Sequence, residues 1–396
     1  MSQDSGRLGL TSWVRGEVEA GGWVRASAAQ AQRLRERYGP DAVADLSLGQ
    51  PLEATEAVRS AFEAATRVVR RLRFAYMPNL GYPELRERIA EDVDFPGVTA
   101  QSVVLTVGAA GAISMALRAL VEPGREVVVV APYFSEYRLY SAVSGHGLRI
   151  VPPTRDGSLD LDGLAKALNG TTGAVILNSP GNPNGHVLTD HELSGVGALL
   201  EEHRRRRGRR VLLVVDEVYR RIIHPPHRRA DPFVHHPDTV LCRSFSKDLG
   251  LAGERIGYLA LHPSLSSPEA EAGLALCQRA LGYVNAPATA QLALLELPSW
   301  ECDPIPYRER RDLIAAGAGS AGLATTECQG GFYLWVRSPW ADCMAFCAAL
   351  AERRTVVVPG VAFGAPDWFR ICFSAEMGAL EIAAAALAAT AAASPG

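Results

Sequence analysis

The stretch Thr239-Val-Leu-Cys-Arg-Ser-Phe-Ser-Lys-Asp-Leu-Gly-Leu-Ala-Gly-Glu-Arg-Ile-Gly-Tyr-Leu-Ala-Leu261 joins two short apolar runs through a polar connection that carries three glycine or alanine pivots and one lysine. Short apolar runs bounded by polar, Gly or Pro positions fit strands buried on both faces. The same texture recurs upstream in Val103-Val-Leu-Thr-Val107, Glu126-Val-Val-Val-Val130, Gly173-Ala-Val-Ile-Leu-Asn178 and Arg210-Val-Leu-Leu-Val-Val-Asp216. Between the first two, Ile113-Ser-Met-Ala-Leu-Arg-Ala-Leu120 has helical spacing and stops at Pro123-Gly124. This alternation predicts an α/β fold whose mostly parallel sheet is sandwiched by helices.

Outward from that core, Ser27-Ala-Ala-Gln-Ala-Gln-Arg-Leu-Arg-Glu-Arg-Tyr38 reads as a helix ending at Gly39-Pro40. After Asn285-Ala-Pro287 a helical stretch, 288–297, leads into helices mixed with the strand-like Gly331-Phe-Tyr-Leu-Trp-Val336 and Arg370-Ile-Cys-Phe373. A chain of 396 residues exceeds what one core usually supports, about 250–300 residues. The predicted organisation is a large domain over 51–288 and a smaller α+β domain over 289–396, joined by the N-terminal segment 1–50. The alanine-rich tail, 383–393, is helix-prone.

Composition narrows the function. Lys and Arg number 40 against 43 Asp and Glu, a net charge of −3, which argues against nucleic acid as the partner. The N-terminus lacks a basic stretch followed by an apolar core, and no apolar run approaches the roughly 18 residues of a membrane span. A cytoplasmic protein with no membrane partner is expected. The seven cysteines include no CxxC, and their odd number leaves one unpaired in any disulfide scheme. Cys343 and Cys347 lie one helical turn apart, but nothing beside them completes a tetrahedral set, so no metal is expected. Arg204-Arg-Arg-Arg-Gly-Arg-Arg210 suits a helix C-terminus in solvent, and His224, His227, His235 and His236 fall in a Pro-rich loop expected at the surface.

The chemistry concentrates around Lys247. Most lysines are solvated surface charges. This one follows an apolar strand, with Ser244 and Ser246 just before it and Arg255 eight positions later. Hydroxyls and a guanidinium around an amine supply what a phosphorylated carbonyl cofactor needs: donors for its phosphate and a nucleophile for its aldehyde.

The segment from Ser244 to Tyr258 resembles the cofactor-lysine motif of the class I/II aminotransferases, the fold type I pyridoxal-5'-phosphate enzymes. Other similarities occur in family order. Asn178-Ser-Pro-Gly-Asn-Pro-Asn-Gly185 resembles the family's asparagine-proline-threonine-glycine loop, and Asp216-Glu-Val-Tyr219 its aspartate-x-x-tyrosine strand end. Val107-Gly-Ala-Ala-Gly111 resembles the phosphate-cradling turn, Ala131-Pro-Tyr-Phe-Ser-Glu-Tyr137 the ring-stacking segment, and Phe369-Arg-Ile-Cys-Phe373 the strand with the carboxylate-binding arginine.

The resemblance implies that Lys247 holds pyridoxal phosphate as a Schiff base and shuttles the substrate Cα proton. Asp216, at the end of an apolar strand, would keep the pyridine nitrogen protonated; otherwise it caps the next helix. Asn182 and Tyr219 would donate to the ring's phenolic oxygen, although Asn-Pro alone is a turn signal. Gly108, Ala109 and Ala110 open a helix directly after a strand and would offer free N–H groups to the phosphate. Phe134 would stack on the ring, with Tyr133 the alternative; an aromatic beside proline is equally ordinary core. Arg370 would grip the substrate α-carboxylate, where an arginine in a strand otherwise snorkels to the surface. Two positions rest mainly on the family pattern: Gly49, near the substrate carboxylate, where a simple turn explains the glycine nearly as well, and Tyr76, which in relatives reaches the neighbouring subunit's phosphate and so implies a homodimer with shared active sites.

Three departures stand out. Asn184 replaces the usual threonine, Glu254 sits beside Arg255 where an apolar residue is common, and Leu52-Glu-Ala-Thr55 lacks the frequent aspartate-aromatic pair. The reaction implied is transfer of an amino group from an L-amino acid to a 2-oxo acid. The rival reading is elimination, replacement, cyclisation or oxidation on the same scaffold, since fold and cofactor do not decide which bond breaks. A non-catalytic sensor is a second rival, disfavoured because no helix-turn-helix candidate precedes Gly49.

Overall fold

The computed structural model describes residues 9–19, 22–154 and 157–393. Its centre is a seven-stranded sheet built from β1 (Val103–Val107), β2 (Glu126–Val130), β3 (Gly147–Val151), β4 (Thr172–Asn178), β5 (Leu212–Asp216), β6 (Thr239–Ser244) and β7 (Ile256–Leu261). The strand order is β1-β7-β6-β5-β4-β2-β3. Period-two alternation sends Leu213 and Val215 into one core and Leu212 and Val214 into the other. Both faces are therefore apolar, and helices cover both. Gly108–Leu120 and Pro268–Ala280 pack on one side; Glu56–Arg71, Pro83–Val93, Asp190–Arg207 and Ala288–Glu296 pack on the other.

The expected α/β sandwich is present, with two differences from the sequence reading. Strand β7 runs antiparallel to both neighbours, β1 and β6. The connection between β6 and β7 is too short to hold the crossover helix that a parallel pair requires. β3 is an additional edge strand, and its largely solvent-facing Gly147-Leu-Arg-Ile-Val151 shows no continuous apolar run.

A second core gathers around a three-stranded antiparallel sheet of β8 (Tyr333–Arg337), β9 (Val358–Pro359) and β10 (Trp368–Cys372), in the order β9-β10-β8. Phe332, Leu334, Phe369 and Ile371 meet Ile314, Phe346, Leu380 and Leu387 from the helices Ile305–Ser320, Cys343–Glu352 and Met377–Ala391. The N-terminal segment joins this body: Ala44-Asp45 pairs in parallel with Thr355-Val356, and Leu46 lies in the same core.

The arginine run does end a helix, with Gly208 as its left-handed cap, and Arg204, Arg205 and Arg206 pair with Glu201 and Glu202. The histidine loop differs from expectation. His224 and His236 are buried: His224 meets the Gly331 carbonyl at 3.0 Å, where the loop passes under the second sheet, and His236 lies 3.4 Å from the Val211 carbonyl just before β5. Among the described residues no helix is long and apolar enough to cross a membrane, and no group of His, Cys, Asp or Glu is arranged to hold a metal ion.

Candidate active site

The C-terminal ends of β4, β5 and β6 and the N-terminus of the helix after β1 converge on one cavity of about 510 Å³ between the two cores. In open α/β sheets this is where ligands bind. Its lining includes Gly49, Ala109, Ala110, Phe134, Asn182, Asp216, Tyr219, Ser244, Ser246, Lys247, Arg255 and Arg370. Residues from distant parts of the sequence thus share one space.

Asp216 ends β5, almost wholly buried. Burial pushes its carboxyl up to about 6, opposed by a 2.7 Å hydrogen bond that Tyr137 donates to Oδ2. Among the described residues Oδ1 has no hydrogen-bond partner. A buried carboxylate oxygen without a donor is costly, so the site is built to present that oxygen to something else.

Lys247 lies in the loop after β6, with its Nζ 2.6 Å from the Gly49 carbonyl. Burial, assisted by the nearby Arg370 and Arg255 charges, lowers the ammonium to about 8. The loop is held from behind: Arg221 donates to buried Asp248 at 2.6 Å and to Asp92 at 2.7 Å, and Arg243 pairs with Glu217 in full burial. Breaking such a buried pair on one side costs about 3–5 kcal/mol.

Helix Gly108–Leu120 begins directly at the end of β1 with no side-chain cap on its first N–H groups. Gly108 has φ +66, and a Cβ there would come within 2.7 Å of the Arg255 guanidinium. The Ser244 hydroxyl donates to Ser246 Oγ at 2.7 Å. Arg255 itself adopts φ 52, a left-handed conformation that a non-glycine residue holds only when its surroundings impose it. Free amides, two hydroxyls and a guanidinium make an anion cradle.

Opposite, Arg370 on β10 is buried to 2 % exposure. It donates to Asn182 Oδ1 at 2.8 Å and to the Ser47 carbonyl, while Nε has no hydrogen-bond partner among the described residues. The ring of Tyr333 lies 4.4 Å beneath it. Tyr219 shares a 3.1 Å hydroxyl contact with Tyr333, and burial raises its phenol well above the usual value. Gly49 is fixed by crowding, since a Cβ there would sit 1.8 Å from the Tyr333 hydroxyl.

Tyr76 stands apart. Its side chain is 98 % exposed and does not line the cavity of its own chain. Tyr137 and Tyr333 were not singled out in the sequence, although both fall inside quoted stretches. The available signal is chemical: a buried aspartate needs a donor, and a phenol seven residues past the end of β2, where the next helix starts, can supply one.

Comparison with known proteins bears on this geometry. Residues 41–387 match the family described as aminotransferase class I and II. The chain is 29 % identical over 361 residues to the aspartate/prephenate aminotransferase of Thermus thermophilus, covering 87 % of this chain and 90 % of that one. It is 32 % identical over 314 residues to the probable N-succinyldiaminopimelate aminotransferase of Mycobacterium tuberculosis, covering 74 % and 75 %. Among solved structures, an aminotransferase from Eubacterium rectale superposes with a TM-score of 0.87 at 29 % identity, over 93 % of this chain and 94 % of that one. The aspartate aminotransferase of Thermus thermophilus with maleate gives 0.84 at 26 %, over 97 % and 100 %. A match of this extent, on a fold and cavity of this kind, makes the chain a member of the class I and II aminotransferases, enzymes that transfer amino groups.

Proposed function

We propose that the protein uses pyridoxal 5'-phosphate, held at Lys247, to move an amino group between an L-amino acid and a 2-oxo acid. The observation that carries the reading is the pairing, in one cavity, of a deprotonation-prone buried amine with a buried carboxylate whose Oδ1 lacks a partner. The donor set fits the coenzyme. The anion cradle at Gly108, Ala109, Ala110, Ser244, Ser246 and Arg255 suits a phosphate, and the free oxygen of Asp216 suits a protonated ring nitrogen. Tyr219 and the amide nitrogen of Asn182 are the donors for the ring's phenolic oxygen, and Phe134 offers the apolar face for the ring. When bound, the coenzyme supplies an electron sink for the charge that develops at the substrate Cα.

The protein's own groups then divide the work. Arg370, steadied by Asn182 and Ser47, presents its guanidinium to the α-carboxylate and fixes the direction of the Cα–H bond. Lys247, with its ammonium lowered to about 8, has a substantial neutral fraction near pH 7.5 and can take that proton and return it. Aspartate, prephenate and diaminopimelate aminotransferases among the relatives support transamination as the reaction. The exposure of Tyr76 supports a homodimer in which that side chain completes the partner's site, and the composition supports a cytoplasmic location.

A single-turnover experiment tests the reading. Mixed with excess L-amino acid and no acceptor, the coenzyme-loaded protein should release one 2-oxo acid per site and retain the amino group until a second 2-oxo acid is added. Release of ammonia, or of an unsaturated or oxidised product, would contradict it.

A further inference from the structure

Tyr219 is placed to donate to the coenzyme's phenolic oxygen, yet its hydroxyl proton has two possible destinations. The Tyr219 and Tyr333 hydroxyls lie 3.1 Å apart, and either can donate to the other. Among the described residues neither has another hydrogen-bond partner, and both side chains line the cavity. A phenol carries one proton. If Tyr219 donates to Tyr333, no proton is left for a ligand. If Tyr333 donates to Tyr219, the Tyr219 proton is free to point into the cavity.

The surroundings favour the second arrangement. Tyr333 is buried on β8, and with an anionic oxygen in the cavity only donation to Tyr219 leaves both phenols hydrogen-bonded. The Arg370 guanidinium lies 4.4 Å from the centre of the Tyr333 ring. A positive charge over the ring makes that phenol the stronger acid and so the better donor. Both rings are also held in place. Tyr219 meets Phe332 edge-on at 5.1 Å and Tyr333 at 5.7 Å, and the Gly49 backbone abuts the Tyr333 hydroxyl so closely that a Cβ there would sit 1.8 Å from it. What is left to set at Tyr219 is the direction of its O–H bond. We infer that Tyr333 is a positioning residue for the reaction: its hydroxyl donates to Tyr219 and thereby turns the Tyr219 proton toward the coenzyme's phenolic oxygen. The bond that Tyr219 accepts also strengthens the one it gives.

The inference rests on the reading of this cavity as a pyridoxal phosphate site, and its test separates the two. Donation to the phenolic oxygen stabilises its anion and so eases loss of the Schiff-base proton, which moves the visible absorbance band. The pH midpoint of that change would be measured on coenzyme-loaded wild type, Tyr333→Phe, Tyr219→Phe and the double variant. A midpoint reports only on loaded sites, so it is insensitive to any loss of folded protein. Tyr219→Phe should raise it by about 1–2 pH units, the scale of a hydrogen bond to a charged group. Tyr333→Phe keeps the ring beneath Arg370 and should raise the midpoint by about 0.3–1 pH unit. The double variant should match Tyr219→Phe alone, because Tyr333 acts through Tyr219. A wild-type midpoint in Tyr333→Phe would overturn the inference. So would shifts that add in the double variant, since a packing role acts independently of the Tyr219 hydroxyl. An unmoved midpoint in Tyr219→Phe sinks the role of Tyr219 and this inference with it, whereas protein that shows no coenzyme band sinks the coenzyme reading itself.

Discussion

Replacing Tyr137 with phenylalanine removes one oxygen and should make coenzyme affinity steeply dependent on pH. Tyr137 is buried and donates at 2.7 Å to Oδ2 of Asp216, a carboxylate that burial already pushes up to about 6. A hydrogen bond to a charged group is worth about 1.5–3 kcal/mol, so its loss should lower the acid dissociation constant of Asp216 by roughly 10- to 150-fold. At pH 7 the ionised fraction in the coenzyme-free protein then falls from about nine-tenths to about half or less. If the ring nitrogen pairs only with the ionised form, Tyr137→Phe should bind pyridoxal phosphate about 2- to 15-fold more weakly than wild type at pH 7, with the difference closing by about pH 9. Lys247 titrates in both proteins and cancels in the ratio. The assay is absorbance titration with coenzyme from pH 6 to 9. A ratio independent of pH, or equal affinities at pH 6.5, would refute the reasoning.

Other outcomes follow from the same site. Lys247 is lowered from 10.5 to about 8, so between those values the unfolded chain binds more protons and stability of the coenzyme-free protein should rise with pH. That gain is about 3 kcal/mol at most and should vanish in Lys247→Ala, as read by denaturant unfolding at pH 8 and 10. Gly49→Ala drives a Cβ to 1.8 Å from the Tyr333 hydroxyl, so either Tyr333 moves or the segment does. Thermal unfolding should show a loss of about 1–3 kcal/mol, and coenzyme binding should weaken as the Gly49 carbonyl leaves Lys247. Arg370→Lys keeps the charge but not the fork that spans Asn182 and Ser47. It should reduce kcat/KM for the amino donor by about 10- to 100-fold while leaving coenzyme affinity near wild type.

Much of this architecture was legible because it rests on short-range patterns. Leu212-Leu-Val-Val215 announces a strand buried on two faces, and the carboxylate at its end, Asp216, is where such a strand delivers a side chain to a ligand. Gly108 was legible for the same reason, since a helix that starts on a strand's last residue has nothing of its own to cap it. The orientation of β7 was not, because its apolar run reads alike in either direction and only the length of the loop around Lys247 decides the pairing. Strand β3 escaped notice because an edge strand with outward-facing Arg149 and Ile150 lacks a continuous apolar signal. Tyr137 and Tyr333 escaped as site residues because their importance lies in what they touch across 79 and 114 residues of sequence, which no local pattern encodes. The burial of His224 is not legible, because polar loop composition does not reveal that a second sheet will cover it.

The central claim is that the amine at position 247 joins covalently to an aldehyde whose phosphate is gripped close by. Borohydride reduction of the coenzyme-loaded protein, followed by peptide mass spectrometry, tests it most directly. A single stable pyridoxyl-phosphate adduct on the peptide bearing Lys247, missing in Lys247→Ala, is the result the account predicts. Protein that takes up no coenzyme, or an adduct spread over other lysines, would contradict it.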